Sequence, residues 1–87
     1  MYVTIWAFRP RPGREADFDA AYGPGGAWAA LFRASPDFLG TELLRAADGT
    51  GLCLTIDRWT DRAAYNAFRA ARQEAYDALD RAARKAS

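Results

Sequence analysis

The sequence predicts an α+β fold in which one antiparallel sheet carries helices on a single face. Three short runs dense in β-branched and aromatic residues point to strands. Helical spacing of apolar residues fills the stretches after the first and third runs, and an Asp-Gly pair lies between the second and third. With 87 residues the chain is one domain, residues 1–87, because so short a chain does not divide into two cores.

The first strand runs from Tyr2 to Phe8 and is stopped by the turn chemistry of Arg9-Pro10-Arg11-Pro12-Gly13. Alternation puts Val3, Ile5 and Ala7 on one face and Tyr2, Thr4, Trp6 and Phe8 on the other. Both faces are apolar, so both require cover.

From Arg14 to Tyr22, Phe18, Ala21 and Tyr22 recur at helical spacing. Glu15 and Asp17 lie early, where the positive pole of a helix favours carboxylates. Gly23-Pro24-Gly25-Gly26 interrupts the helical pattern, which resumes from Ala27 to Ala34 with Trp28, Leu31 and Phe32 before Ser35-Pro36-Asp37 ends it. The break is either a plain kink or a gate at a pocket mouth.

Phe38 to Arg45 and Leu52 to Trp59 read as two strands of a hairpin turned by the segment around Asp48-Gly49. In the third strand Leu52, Leu54, Ile56 and Arg58 share one face, and Cys53, Thr55, Asp57 and Trp59 the other. Thr60 is the expected N-cap of a last helix over Asp61 to Arg84, with Ala64, Phe68, Ala71, Ala75, Leu79 and Ala82 as its core-facing stripe. Arg81, Arg84 and Lys85 suit its negative pole.

Strand, helix, strand, strand, helix is most of a ferredoxin-like β-α-β-β-α-β unit. The fourth strand is not visible, since Arg81 to Ser87 does not read as one; either it is absent or the chain is incomplete. Helices on one side leave the opposite sheet face bare and too apolar to stay wet, which predicts a homodimer joined sheet to sheet.

Composition narrows the function classes. At 51% hydrophobic residues the chain is no disordered tail, and its longest apolar run, Ala27 to Phe32, is far below the roughly 20 residues of a membrane span. With no signal core either, the expectation is a cytoplasmic protein without a membrane partner. A net charge of +1 lacks the basic excess that nucleic acid would favour. The chain has no histidine and a single cysteine, Cys53, expected to be a buried and inert thiol. Internal disulfides, imidazole bases and the usual metal sites are therefore excluded.

Several segments taken in order resemble the antibiotic biosynthesis monooxygenase family of the dimeric α+β barrel superfamily. They are Arg11-Pro12-Gly13-Arg14-Glu15 after the first strand, Phe38-Leu39-Gly40-Thr41-Glu42-Leu43 opening the second, and Thr55-Ile56-Asp57-Arg58-Trp59 leading into Thr60-Asp61-Arg62-Ala63-Ala64-Tyr65. The resemblance implies a dimeric α+β barrel. Activities in that superfamily range from cofactor-free oxygenases of anthrones and quinols to haem-degrading enzymes, isomerases and proteins of no known activity. The haem-degrading pattern calls for a histidine on the last helix, an asparagine on the first strand and a tryptophan ending the third; only Trp59 meets it. The anthrone-oxygenase pattern is closer, matching Trp59 and Tyr65, although Thr55 and Leu79 stand where it has asparagine and arginine.

What the resemblance implies is a pocket in each subunit for a small aromatic, phenolic or quinol-type molecule, oxidised without metal, flavin or other cofactor. Such an enzyme needs a base, a donor for the developing oxyanion and a dry cavity. The catalytic candidates are Asp57 as base, Tyr65 as donor and Trp59 as a stacking surface. The substrate-binding candidates are Trp59, Tyr65, Arg69, Arg72, Trp28 and Phe32. Each has a structural alternative. Asp57 and Glu42 are the sort of strand carboxylates that pair with arginine, Trp59 the sort of strand-end ring that fills core, and Arg69, Arg72 and Tyr76 fit a solvated helix face. The competing functions are a non-catalytic ligand-binding or structural dimer, and a cofactor-free isomerase or lyase.

Overall fold

In a computed structural model that describes residues 1–83, the chain forms β1 (Tyr2–Phe8), α1 (Glu15–Tyr22), α2 (Ala27–Phe32), β2 (Phe38–Arg45), β3 (Cys53–Trp59), α3 (Arg62–Ala71) and α4 (Gln73–Ala83). The strands lie in the order β1-β3-β2 with β3 central and both pairings antiparallel, the split arrangement of a ferredoxin-like sheet. Among the described residues the sheet has three strands. Residues 84–87, including Arg84 and Lys85 and most of the segment examined for a fourth strand, lie outside the described part, while Arg81 belongs to α4.

Register divides the sheet into rows. On the helix-covered face Tyr2, Trp59 and Phe38 align, then Thr4, Asp57 and Thr41, then Trp6, Thr55 and Leu43, then Phe8, Cys53 and Arg45. The shift between Phe38 and Gly40 is a bulge, and Gly40 takes a φ of 137°, a conformation open to glycine and strained for other residues. On the other face Val3, Ile5 and Leu44 are exposed beside half-buried Leu54 and Ile56, and Arg58 pairs with Glu42 at 2.7 Å. Glu42 is thus the ion-pair partner its sequence position suggested.

The core is in two parts. Phe32, Trp59, Tyr65, Phe68 and Tyr76 form one cluster; Phe18 and Cys53, with Phe8, Tyr22 and Leu43 against them, form the other. The polar row Thr4–Asp57–Thr41 lies between them across the sheet.

The glycine-proline segment breaks the helical region where its composition predicts, separating two helices, α1 and α2, with Gly23 accepting from the Gly26 N–H at 2.8 Å. Gly26 is a contact requirement, since a Cβ there would meet the carbonyl oxygens of Ala20 and Ala21 at 2.8 and 2.9 Å. The N-cap of α3 is Asp61, whose carboxylate accepts from the Ala64 N–H at 2.7 Å, whereas the Thr60 hydroxyl donates to Asp37 at 3.0 Å and ties the end of β3 to the start of β2.

The last helix is two, broken at Arg72, where nothing in the sequence marks a stop. Its buried face is also turned by about one position from the alanine stripe. Tyr65, Phe68 and Tyr76 are buried while Ala71 and Ala82 are exposed, because rings remove far more apolar area from water than methyl groups do. No helix among the described residues is long and apolar enough to cross a membrane.

Candidate functional site

The two halves of the core do not meet, and between them lies a cavity of about 290 Å³. Its floor is the polar middle of the sheet: Thr4 from β1, Thr41 from β2, and Thr55 and Asp57 from β3. Aromatic side chains make most of the wall, with Trp6 and Phe8 from β1, Tyr22 from α1, and Trp28 and Phe32 from α2. The remaining wall comes from Tyr65 and Arg69 on α3 and from Tyr76 with Gln73, Asp77 and Asp80 on α4. The volume is near the low end of the roughly 300–1,000 Å³ usual for small-molecule sites.

Asp57 is the buried carboxylate of this floor, 8% exposed. Its position in β3 puts it directly opposite Thr4 on one side and Thr41 on the other. Both hydroxyls donate to it, Thr41 to Oδ1 and Thr4, at 3.5 Å, to Oδ2. Among the described residues no arginine forms the expected ion pair with it. Arg58 follows Asp57 in the strand and so points to the opposite face, where it meets Glu42. Burial raises the Asp57 pKa above its usual 3.8, and the threonine hydrogen bonds, which favour the charged form, only partly offset it.

Tyr65 is buried and its hydroxyl oxygen accepts from Arg69 Nη1 at 3.3 Å. The Arg69 guanidinium also lies 5.6 Å from the centre of the Tyr76 ring. Burial, then the nearby Tyr65, raises the Tyr76 pKa well above the usual phenol value; Asp57 adds to this and Arg69 opposes it. Three buried polar atoms find no partner among the described residues: Trp28 Nε1, Trp59 Nε1 and the Tyr76 hydroxyl. Gln73 donates to Asp77 at 2.9 Å beside the cavity.

Of the residues singled out in the sequence, Asp57, Tyr65, Arg69, Trp28 and Phe32 come together around the cavity. Trp59 does not reach it. It is fully buried behind the wall, with its ring centre 5.2–5.4 Å from those of Phe38, Phe32, Tyr65 and Phe68. Arg72 is also off the wall, its guanidinium 5.1 Å from the Phe68 ring centre at the α3–α4 break.

The floor threonines Thr4 and Thr41 were missed as site residues. Finding them needed the pairing register of three strands, which only the hairpin half of the sequence hints at. Tyr76 had a signal, since it continues the row from Tyr65 through Arg69 and Arg72 at helical spacing. Among the described residues no three of His, Cys, Asp or Glu gather closely enough to hold a metal ion.

The three-stranded sheet of the described residues, its one-sided helices and the aromatic cavity between them define a small α+β domain with a central cavity. The antibiotic biosynthesis monooxygenase family matches residues 1–81, and the chain belongs to that family. No curated protein and no solved structure matches it.

Proposed function

We propose that the protein is a cofactor-independent monooxygenase that oxidises a small aromatic, phenolic or quinol-type molecule in the cavity. The observation that carries this reading is the buried Asp57 carboxylate on the floor of an aromatic-walled cavity, held by Thr4 and Thr41 and raised in pKa by burial. A base of that kind keeps its proton affinity without a histidine.

In this reading, for an anthrone-type member of the class, a ring CH₂ activated by a conjugated carbonyl loses a proton to Asp57, and the carbanion supplies the electrons. It adds to dioxygen, the peroxide takes a proton and loses water, and the CH₂ carbon becomes a carbonyl. One oxygen atom ends in the product and one in water. Four electrons leave carbon and four reduce dioxygen, so no further reductant is needed. Burial of Asp57 on the floor limits the access of bulk water to the anion.

The working unit is a homodimer joined through the open sheet face, where Val3, Ile5, Leu44, Leu54 and Ile56 form an apolar surface that favours cover. The test is dioxygen uptake by metal-stripped, flavin-free protein with anthrones, naphthoquinols and catechols, against Asp57→Asn and a no-enzyme blank. Uptake above the blank that vanishes in the variant supports the proposal. Aromatic binding with no uptake anywhere in the panel would leave a ligand-binding dimer as the function.

A further inference from the structure

Tyr76 is nine-tenths buried, lines the cavity, and has a hydroxyl that is shielded from solvent and without a partner among the described residues. Buried hydroxyls are normally paired, because an unmet donor loses its hydration and gains nothing in return. Tyr65, one turn-row away on α3, has its oxygen engaged by Arg69, so the two tyrosines are not equivalent. Burial, and after it the nearby Tyr65, holds the Tyr76 proton in place against the opposing Arg69, so the group stays a donor.

Trp28 meets the Tyr76 ring edge-on, centres 5.1 Å apart and planes at 73°. Its Nε1–H, which can only donate, is also buried without a partner, and Trp28 too lines the cavity. Two unmet donors, one on α2 and one on α4, therefore belong to residues that share the wall of one cavity, whose floor carries the acceptor Asp57. A purely structural aromatic wall has no use for the Tyr76 hydroxyl, since phenylalanine at position 76 fills the same ring space without stranding a donor.

Resting on the reading of the cavity as an aromatic site, we infer that Tyr76 is a specificity-determining donor, which together with Trp28 selects aromatic ligands that present a carbonyl-type oxygen. A carbonyl oxygen has two lone pairs and so has the capacity to accept from two donors. In the proposed reaction the same oxygen gains negative charge when the conjugated CH₂ carbon is deprotonated, so the contact strengthens as the anion forms.

The test uses two probes that differ by one carbonyl, tetralin and 1-tetralone, titrated calorimetrically into the full chain and into Tyr76→Phe, with the unliganded melting temperature of each protein. The wild type is expected to bind 1-tetralone up to about tenfold more tightly than tetralin, the worth of a good net hydrogen bond. Tyr76→Phe is expected to lose most of that preference, to bind tetralin unchanged and to melt no lower than the wild type. The tetralin affinity and the melting temperature separate a lost hydrogen bond from a damaged fold. Equal affinity of the wild type for the two probes, or a preference that survives in Tyr76→Phe, overturns the inference and leaves the aromatic cavity standing. Failure of both probes to bind the wild type overturns both.

Discussion

The hydroxyl of Thr41 donates to Oδ1 of Asp57 from the position directly opposite it on the adjacent strand. Thr4 does the same to Oδ2 from the other side, so one row of three strands fixes both oxygens of a buried carboxylate. The sheet orients the group, and burial among the packed side chains around it supplies the desolvation that raises its pKa.

This sets the sign of the pH dependence. Folded Asp57 titrates above 3.8, the unperturbed value, so in the window from 3.8 to its raised pKa the native state binds more protons than the unfolded one. Stability falls as pH rises through that window, and at neutral pH the charged form is a penalty on the fold. Asp57→Asn is expected to melt at or above the wild type at neutral pH, with the difference closing in acid. Dioxygen uptake by the variant should fall by about 100-fold or more, the usual worth of a positioned base. Melting curves across pH, run beside uptake assays, check both; a variant that melts lower at neutral pH contradicts the sign.

Thr41→Val separates the carboxylate from its support. Removing a hydroxyl that favours the charged form is expected to raise the Asp57 pKa further, moving the rising limb of the pH–rate profile to higher pH. The stability cost is about 1 kcal/mol at neutral pH, measurable by urea unfolding. An unmoved limb would show that Asp57 does not govern the rate.

Trp59 and Trp28 should part company. Trp59 is fully buried behind the cavity wall among four rings, so Trp59→Ala is expected to cost about 3–5 kcal/mol and Trp59→Phe less, with KM for any substrate unchanged in the Phe variant. Trp28→Phe, at the wall itself, is expected to raise KM. Steady-state kinetics beside denaturant melts distinguish the two, and a raised KM in Trp59→Phe would put that ring back in the site.

Much of this was readable in advance for physical reasons. The strands are dense in β-branched and aromatic residues, and β1 and β2 fall where that density does. Period-two alternation puts Asp57 and Trp59 on one face, as observed, but says nothing of distance from the cavity. Trp59 ends its strand under Phe32, Tyr65 and Phe68, while Asp57 lies one row in, where the packing opens. The orienting threonines depend on register between segments far apart in sequence. The face of the last helical region was misread because counting alanines as core-formers ignores how little area each buries beside Tyr65, Phe68 and Tyr76.

The glycine break yields a paired prediction. Gly26→Ala brings a methyl to 2.8 Å from the Ala20 carbonyl oxygen and should force α1 and α2 apart at a cost of about 1–3 kcal/mol. Gly25 has nothing within 4 Å of its Cβ position, and Gly25→Ala should be neutral or stabilising by up to about 1 kcal/mol, through the unfolded chain. Denaturant melts of the two single variants check this. A break that serves only as a gate would instead show both variants with normal stability and slowed ligand binding.

The proposed dimer makes the open sheet face the most sensitive exposed surface of the chain. Ile5 is 62% exposed in the single subunit and directly opposite Ile56 on the central strand, so its side chain projects from the middle of that face. A carboxylate there has full hydration in a free subunit, and Ile5→Glu should leave the fold of one subunit intact by circular dichroism. In a sheet-to-sheet dimer it would be buried, with Arg58, the nearest cation on that face, already held by Glu42, a cost of several kcal/mol for each copy. Light scattering on eluting protein is therefore expected to give a dimer for the wild type and a folded monomer for Ile5→Glu. Val3→Thr, at the less exposed margin of the same strand, should remain dimeric. A wild type that runs as a monomer at high concentration, or an Ile5→Glu variant that stays dimeric, rules out this face as the contact.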